Sequence, residues 1–134
     1  MTTRADHNLW PGIGYDDAHA ARAWLAELGF EQGICVESPG RPGEIQHSEM
    51  LWPEGGRVMV HTRGKADDTF ATPAGSGNVY VVCEDPDPDA VWAKAEALGA
   101  PVLRPMGDTD YGSRGFSVAD AEGNSWSFGT YAGE

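Results

Sequence analysis

His47, Glu49 and His61 are the residues whose types and spacing first suggest chemistry. His47 and Glu49 alternate within EIQHSEMLW (44–52), so they share one face of a strand, and His61 lies in the next strand-like run, RVMVHT (57–62). Imidazoles beside a carboxylate can hold a divalent cation or move a proton. Two more histidines are available: His7 near the N-terminus, and His19 within a helical segment but off its apolar stripe. Cys35 and Cys83 stand in separate strand-like runs and form no CxxC pair, which excludes a zinc ribbon or a thioredoxin-type motif. They read as buried, reduced thiols. RGFSVAD (114–120) has no nucleophile-elbow pattern, and no glycine-rich loop follows a strand and opens a helix. No catalytic residue is assigned on this basis.

Register decides whether the histidine–carboxylate group can assemble. With Glu54-Gly55 as a hairpin centre, Met50 faces Met59 and Ser48 faces His61, while His47 and Glu49 point to the other face. A His47/Glu49/His61 metal site is then excluded by the pleat. The pair reads as a half-exposed strand pair, hydrogen-bonded locally.

The elements that carry these residues occur twice. DDAHAARAWLAELGF (16–30) and DPDPDAVWAKAEALGA (85–100) are helical segments with apolar stripes at Ala18, Ala21, Leu25 and Leu28, and at Val91, Ala95 and Leu98. Each begins among aspartates that can cap free N–H groups, and each stops at Leu-Gly. Aligning Gly29 on Gly99 places Asn8 on Asn78, so NLWPGIGY matches the strand-like NVYVVCED, although Pro11 weakens the first copy as a regular strand. Three strand candidates follow each helix: 31–37, 44–52 and 57–62, then 100–105, 114–120 and 124–131. The hairpin glycines Gly55 and Gly123 align at an offset of 68 residues, against 70 for the helices. The sequence therefore predicts an α+β fold. Residues 1–134 form one domain of two β-α-β-β-β modules, about 8–62 and 78–131, joined by the loop 63–77. Each module covers one sheet face with its helix. Pairing the bare faces, within the chain or between chains, would curve the sheet around a cavity.

Bulk properties narrow the partners. The formal net charge is −12, which disfavours nucleic acid and favours cationic small molecules. The chain has no run long enough to span a bilayer and no secretory-type N-terminal stretch, so a cytoplasmic location is expected.

The repeated β-α-β-β-β order, the LGF helix end at 28–30 and DAEGNSWSFGTY (120–131) resemble the glyoxalase/bleomycin-resistance/dioxygenase group, the vicinal oxygen chelate superfamily. HSEMLWPEGG (47–56) is similar to the glyoxalase-like branch. The resemblance implies metal ligands on the first and last strand of each half. These positions fall at Leu9, Val79, Met59 and Ser127, none of them a hard-metal ligand. No metal or other cofactor is therefore expected. The expected function is metal-free binding of a small organic ligand, cationic or aromatic, as in antibiotic sequestration. The alternative is a metal-dependent lyase, isomerase or dioxygenase of the same superfamily. On the register above, Met50, Trp52, Met59, His61, Val79, Ser125 and Ser127 line the cavity, with Gly129 and Tyr131 beyond them. Tyr111 and Arg114 stand in a loop over its mouth, and a homodimer is expected.

Overall fold

The computed structural model describes residues 8–133, so His7 lies outside the described residues. The chain divides into two compact units, Met1–Ala74 and Gly75–Glu134. No helix among the described residues is long and apolar enough to cross a membrane.

In the first unit, β1 (Gly12–Tyr15), α1 (Ala18–Leu28), β2 (Glu31–Glu37), β3 (Ile45–Leu51) and β4 (Arg57–Thr62) follow in chain order, and the sheet order is β1-β4-β3-β2. The Asp17 carboxylate caps α1 by accepting from the Ala20 N–H at 3.1 Å. Gly29, with φ 124°, ends it by donating to the Ala26 carbonyl. Helix α1 packs on β3 and β4, burying Leu25 and Leu28 against the sheet face that carries Met50, Val58 and Val60. Ala21 is only half-buried; the fourth buried position is Arg22. Its guanidinium donates to the Glu49 carbonyl at 3.1 Å and the Gly33 carbonyl at 3.2 Å. The register of β2 on β3 slips between Gln32 and Cys35. A bulge leaves carbonyls without ladder partners, and Arg22 satisfies one of that stretch from beneath the helix.

The second unit repeats the plan with β5 (Asn78–Val82), α2 (Pro88–Ala97), β6 (Val102–Asp108), β7 (Arg114–Ala119) and β8 (Ser125–Gly129), in the sheet order β5-β8-β7-β6. The Asp87 carboxylate caps α2 through the Ala90 N–H at 2.9 Å, with Pro88 opening the helix. Val91 and Ala95 are buried, whereas Leu98 is exposed. Trp92 meets Phe116 edge-on and Phe116 stacks on Phe128, so Trp126 and Phe128 form core under the helix. The β7–β8 turn is built on buried Asp120, which accepts from the Glu122 and Asn124 N–H groups and from the Trp126 indole.

Three expectations are corrected. First, β3 and β4 pair as Glu49↔Met59 and Met50↔Val58, one residue away from the expected register. The turn spans residues 53–55, closed by Gly55 N–H to Trp52 carbonyl and Trp52 N–H to Gly56 carbonyl bonds. A three-residue loop in place of a two-residue one turns every side chain of β3 over relative to β4. Second, β5 pairs with β8 as Val79↔Trp126 and Tyr80↔Ser127, which puts Val79 on the helix side. Third, β1 starts at Gly12 and pairs Gly12↔Met59, so Leu9 lies outside the strand. Gly12 thus corresponds to Tyr80, at the hairpin offset rather than the helix offset. The two-residue difference lies between β5 and α2.

Candidate functional site

Directly paired residues in a ladder project to the same face. On the first unit's helix-free face this brings Glu49 and Met59 together, with His47 and His61 two residues further along their strands. Gly12 and Gly14 of β1 lie beside Met59 and His61. Gly14 leaves room for the imidazole: a Cβ there would stand 3.0 Å from His61 Nε2, whereas one on Gly12 would meet Met59 at an ordinary 3.5 Å. Glu49 accepts at both oxygens, from Arg57 at 2.6 Å and with His47 Nε2 at 2.7 Å. The Arg57 guanidinium lies 4.8 Å over the Trp10 ring. His47 and then Arg57 hold the Glu49 carboxyl below the usual range. His61 Nε2 is 3.3 Å from Asp68, and burial pushes its imidazole below the usual value. The His47 ring, held by Glu49, stands half in solvent.

The corrected register takes Met50 and Trp52 out of the expected pocket. Met50 is fully buried beneath α1, and Trp52 packs edge-on to Phe30 at 4.9 Å, near Gly29 at the helix end. Met59 and His61 keep their helix-free face.

In the second unit the helix-free face carries Tyr80, Ser125, Ser127, Ser117, Gly115 and Gly129. Ser117 and Ser127 share a hydrogen bond at 2.6 Å, and the Ser125 hydroxyl donates to the Asn78 side chain at 3.0 Å. The Tyr80 ring lies over Gly129, where a Cβ would stand 2.9 Å from its hydroxyl. The Tyr80 hydroxyl donates to the Tyr131 carbonyl at 2.7 Å, and burial pushes the phenol up, keeping it protonated. Tyr131 meets Tyr111 edge-on at 5.6 Å. These three tyrosines, with Arg104, Asp108 and the backbone at Gly115, line a cleft of about 400 Å³. That volume lies within the range that holds small organic ligands.

Tyr111 and Tyr131 both line this cleft. Arg114 is not among its lining residues. It forks onto Asp89 of α2 at 2.8 and 2.9 Å and reaches Asp108 at 3.3 Å, tying β7 to the helix. Sequence reasoning missed Tyr80 and Arg104. Aligning the first strands by their hairpins would have placed Tyr80 beside Ser127.

The positions that the family resemblance assigns to metal ligands hold Met59 and Ser127, with Gly12 and Tyr80 as their paired neighbours. This donor set does not suit a divalent ion. Among the described residues no three His, Cys, Asp or Glu side chains group as ligands would.

A family model for the Glyoxalase/Bleomycin resistance protein/Dioxygenase superfamily matches residues 6–128. Among solved structures, TioX from Micromonospora sp. ML1 is similar at 27% identity and a TM-score of 0.70, covering 90% of this chain and 95% of that one. A glyoxalase/bleomycin resistance protein from Catenulispora acidiphila matches at 24% identity and a TM-score of 0.61, over 91% and 96% of the two chains. A lactoylglutathione lyase from Agrobacterium tumefaciens matches at 21% identity and a TM-score of 0.65, over 90% of each chain. The last two likenesses speak to the fold alone. A comparison with curated proteins finds no match.

Proposed function

Because the chain belongs to the glyoxalase/bleomycin resistance/dioxygenase superfamily, we propose that it is a metal-free binding protein for small aromatic molecules, held in the tyrosine-lined cleft of its second unit. The family hosts many chemistries, so the reading rests on the site. The observation that carries it is the gathering of Tyr80, Tyr111 and Tyr131 around a cleft floored by glycine backbone. Tyrosine rings give stacking area at little entropic cost. Ser125 and Ser127 share a face with Tyr80 but are not among the residues that line the cleft. Sequestration of an antibiotic is a function of this kind: it needs affinity and abundance, and no reaction.

The metal-dependent alternative finds no fitting ligand set at the positions the resemblance assigns. The test is thermal unfolding with a panel of bicyclic aromatic acids, amides and amines. A ligand at a hundredfold over its Kd stabilises the native state by about 2.7 kcal/mol, a shift of several degrees. At least one compound is expected to raise the Tm, and Tyr111→Ala to abolish that rise. A flat response across the panel would retire the reading.

A further inference from the structure

Arg104 is the one described arginine without a hydrogen bond, ion pair or ring contact among the described residues. The other arginines are engaged: Arg22 on carbonyls, Arg41 with Glu44, Arg57 with Glu49, Arg63 with Asp16, and Arg114 with Asp89. The chain carries 21 acidic residues against 9 lysines and arginines, so a shortage of carboxylates does not explain an unpaired guanidinium. Its position is also singled out by the backbone. The β6–β7 register shifts on both sides of Arg104, between Val102 and Arg104 and again between Arg104 and Gly107. Such irregularities re-aim a side chain and recur beside binding sites. Arg104 lines the cleft that holds the three tyrosines.

Asp108 lines the same cleft, but Arg114 lies 3.3 Å from it and offsets its charge within the protein. Tyr80 stays a neutral phenol committed to the Tyr131 carbonyl. Asp108 shares that guanidinium with Asp89, so the charged lining side chain left without an ion-pair partner among the described residues is Arg104, a cation in a molecule whose net charge is −12. Resting on the reading of this cleft as a small-molecule site, we propose that its ligand is a planar aromatic molecule bearing a carboxylate or an equivalent anionic group, received by Arg104 while the tyrosine rings hold the ring system. The guanidinium fork pairs with a planar anion through two parallel hydrogen bonds, which gives orientation as well as affinity.

The test is calorimetric titration at neutral pH and low salt with three matched probes: 1-naphthoate, 1-naphthamide and 1-naphthylmethylamine. The wild-type protein is expected to bind the acid about tenfold more tightly than the amide. Arg104→Gln should erase that preference while leaving amide affinity within about twofold, and Arg104→Lys should restore part of it as a point charge without the fork. Equal affinities for acid and amide, a preference for the amine, or a preference that survives Arg104→Gln would each overturn the anionic assignment. The cleft reading itself would still stand if Tyr111→Ala weakened the best probe. Binding of none of the three would overturn both.

Discussion

His61 resists protonation in the folded state, and acid destabilises the fold through it. Burial, then Lys65, lowers its pKa, while Asp68 opposes them and His47 adds a smaller repulsion. The unfolded chain therefore takes up the proton first as the pH falls through about 6.5, and stability present above that pH is lost on the way down to the folded-state value. Between pH 7.5 and 5.5 the wild-type urea midpoint is expected to fall, and that of His61→Gln to fall less. Superimposable pH profiles would show that His61 contributes nothing. Glu49 acts in a lower window: its carboxyl is depressed by His47 and Arg57, so its contribution persists above the carboxylate range and disappears only on deeper acidification. The residue types of this group were legible in the sequence, but its assembly was not. The fragment PEGG fits a two-residue or a three-residue turn, and that single residue decides whether His47 and Glu49 share a face with Met59 and His61 or with Val58 and Val60.

At the scale of elements, helix α1 depends on a charged residue in its buried stripe. Arg22 follows Ala18 by four residues and precedes Leu25 by three, so helical spacing places it against the sheet. The apolar stripe predicted from the sequence does not include it. The long stem and five donors suit it to the bulged β2 carbonyls instead. Arg22→Ala would leave the Glu49 and Gly33 carbonyls short of a donor beneath the helix. The expected cost is about 2–4 kcal/mol, read as a lower denaturant midpoint with the same m-value. A change under about 0.5 kcal/mol would mean that water replaces the guanidinium at no cost. Strand and helix runs were otherwise readable from period and punctuation: β2 and β4 match their expected bounds, and both helices cap at the expected aspartates. The first strand was misplaced because it was aligned by the helices, whereas strand pairing obeys the hairpins. The shifts in β6 left no mark beyond Pro105, so the approach of Arg104 to the tyrosines could not be read from the sequence.

At the scale of the whole molecule, two units of one plan have come to carry different chemistry on their helix-free faces. In the first, charged and imidazole groups satisfy one another: Glu49 with His47 and Arg57, and His61 with Asp68. In the second, small residues clear a floor, tyrosines stand over it, and one arginine is left unpaired at the wall. A pre-formed cleft with a few aimed polar groups is what ligand recognition requires. The account's central claim is that the second unit's cleft is the binding site, and amide chemical-shift mapping over the full chain during titration with 1-naphthoate tests it most directly. The account predicts that the largest perturbations fall at Tyr80, Gly107, Gly115, Gly129 and Tyr131, with Met50, Trp52, Glu49 and Met59 unmoved. Perturbations centred on the His47–His61 face, or none at saturating probe, would contradict it.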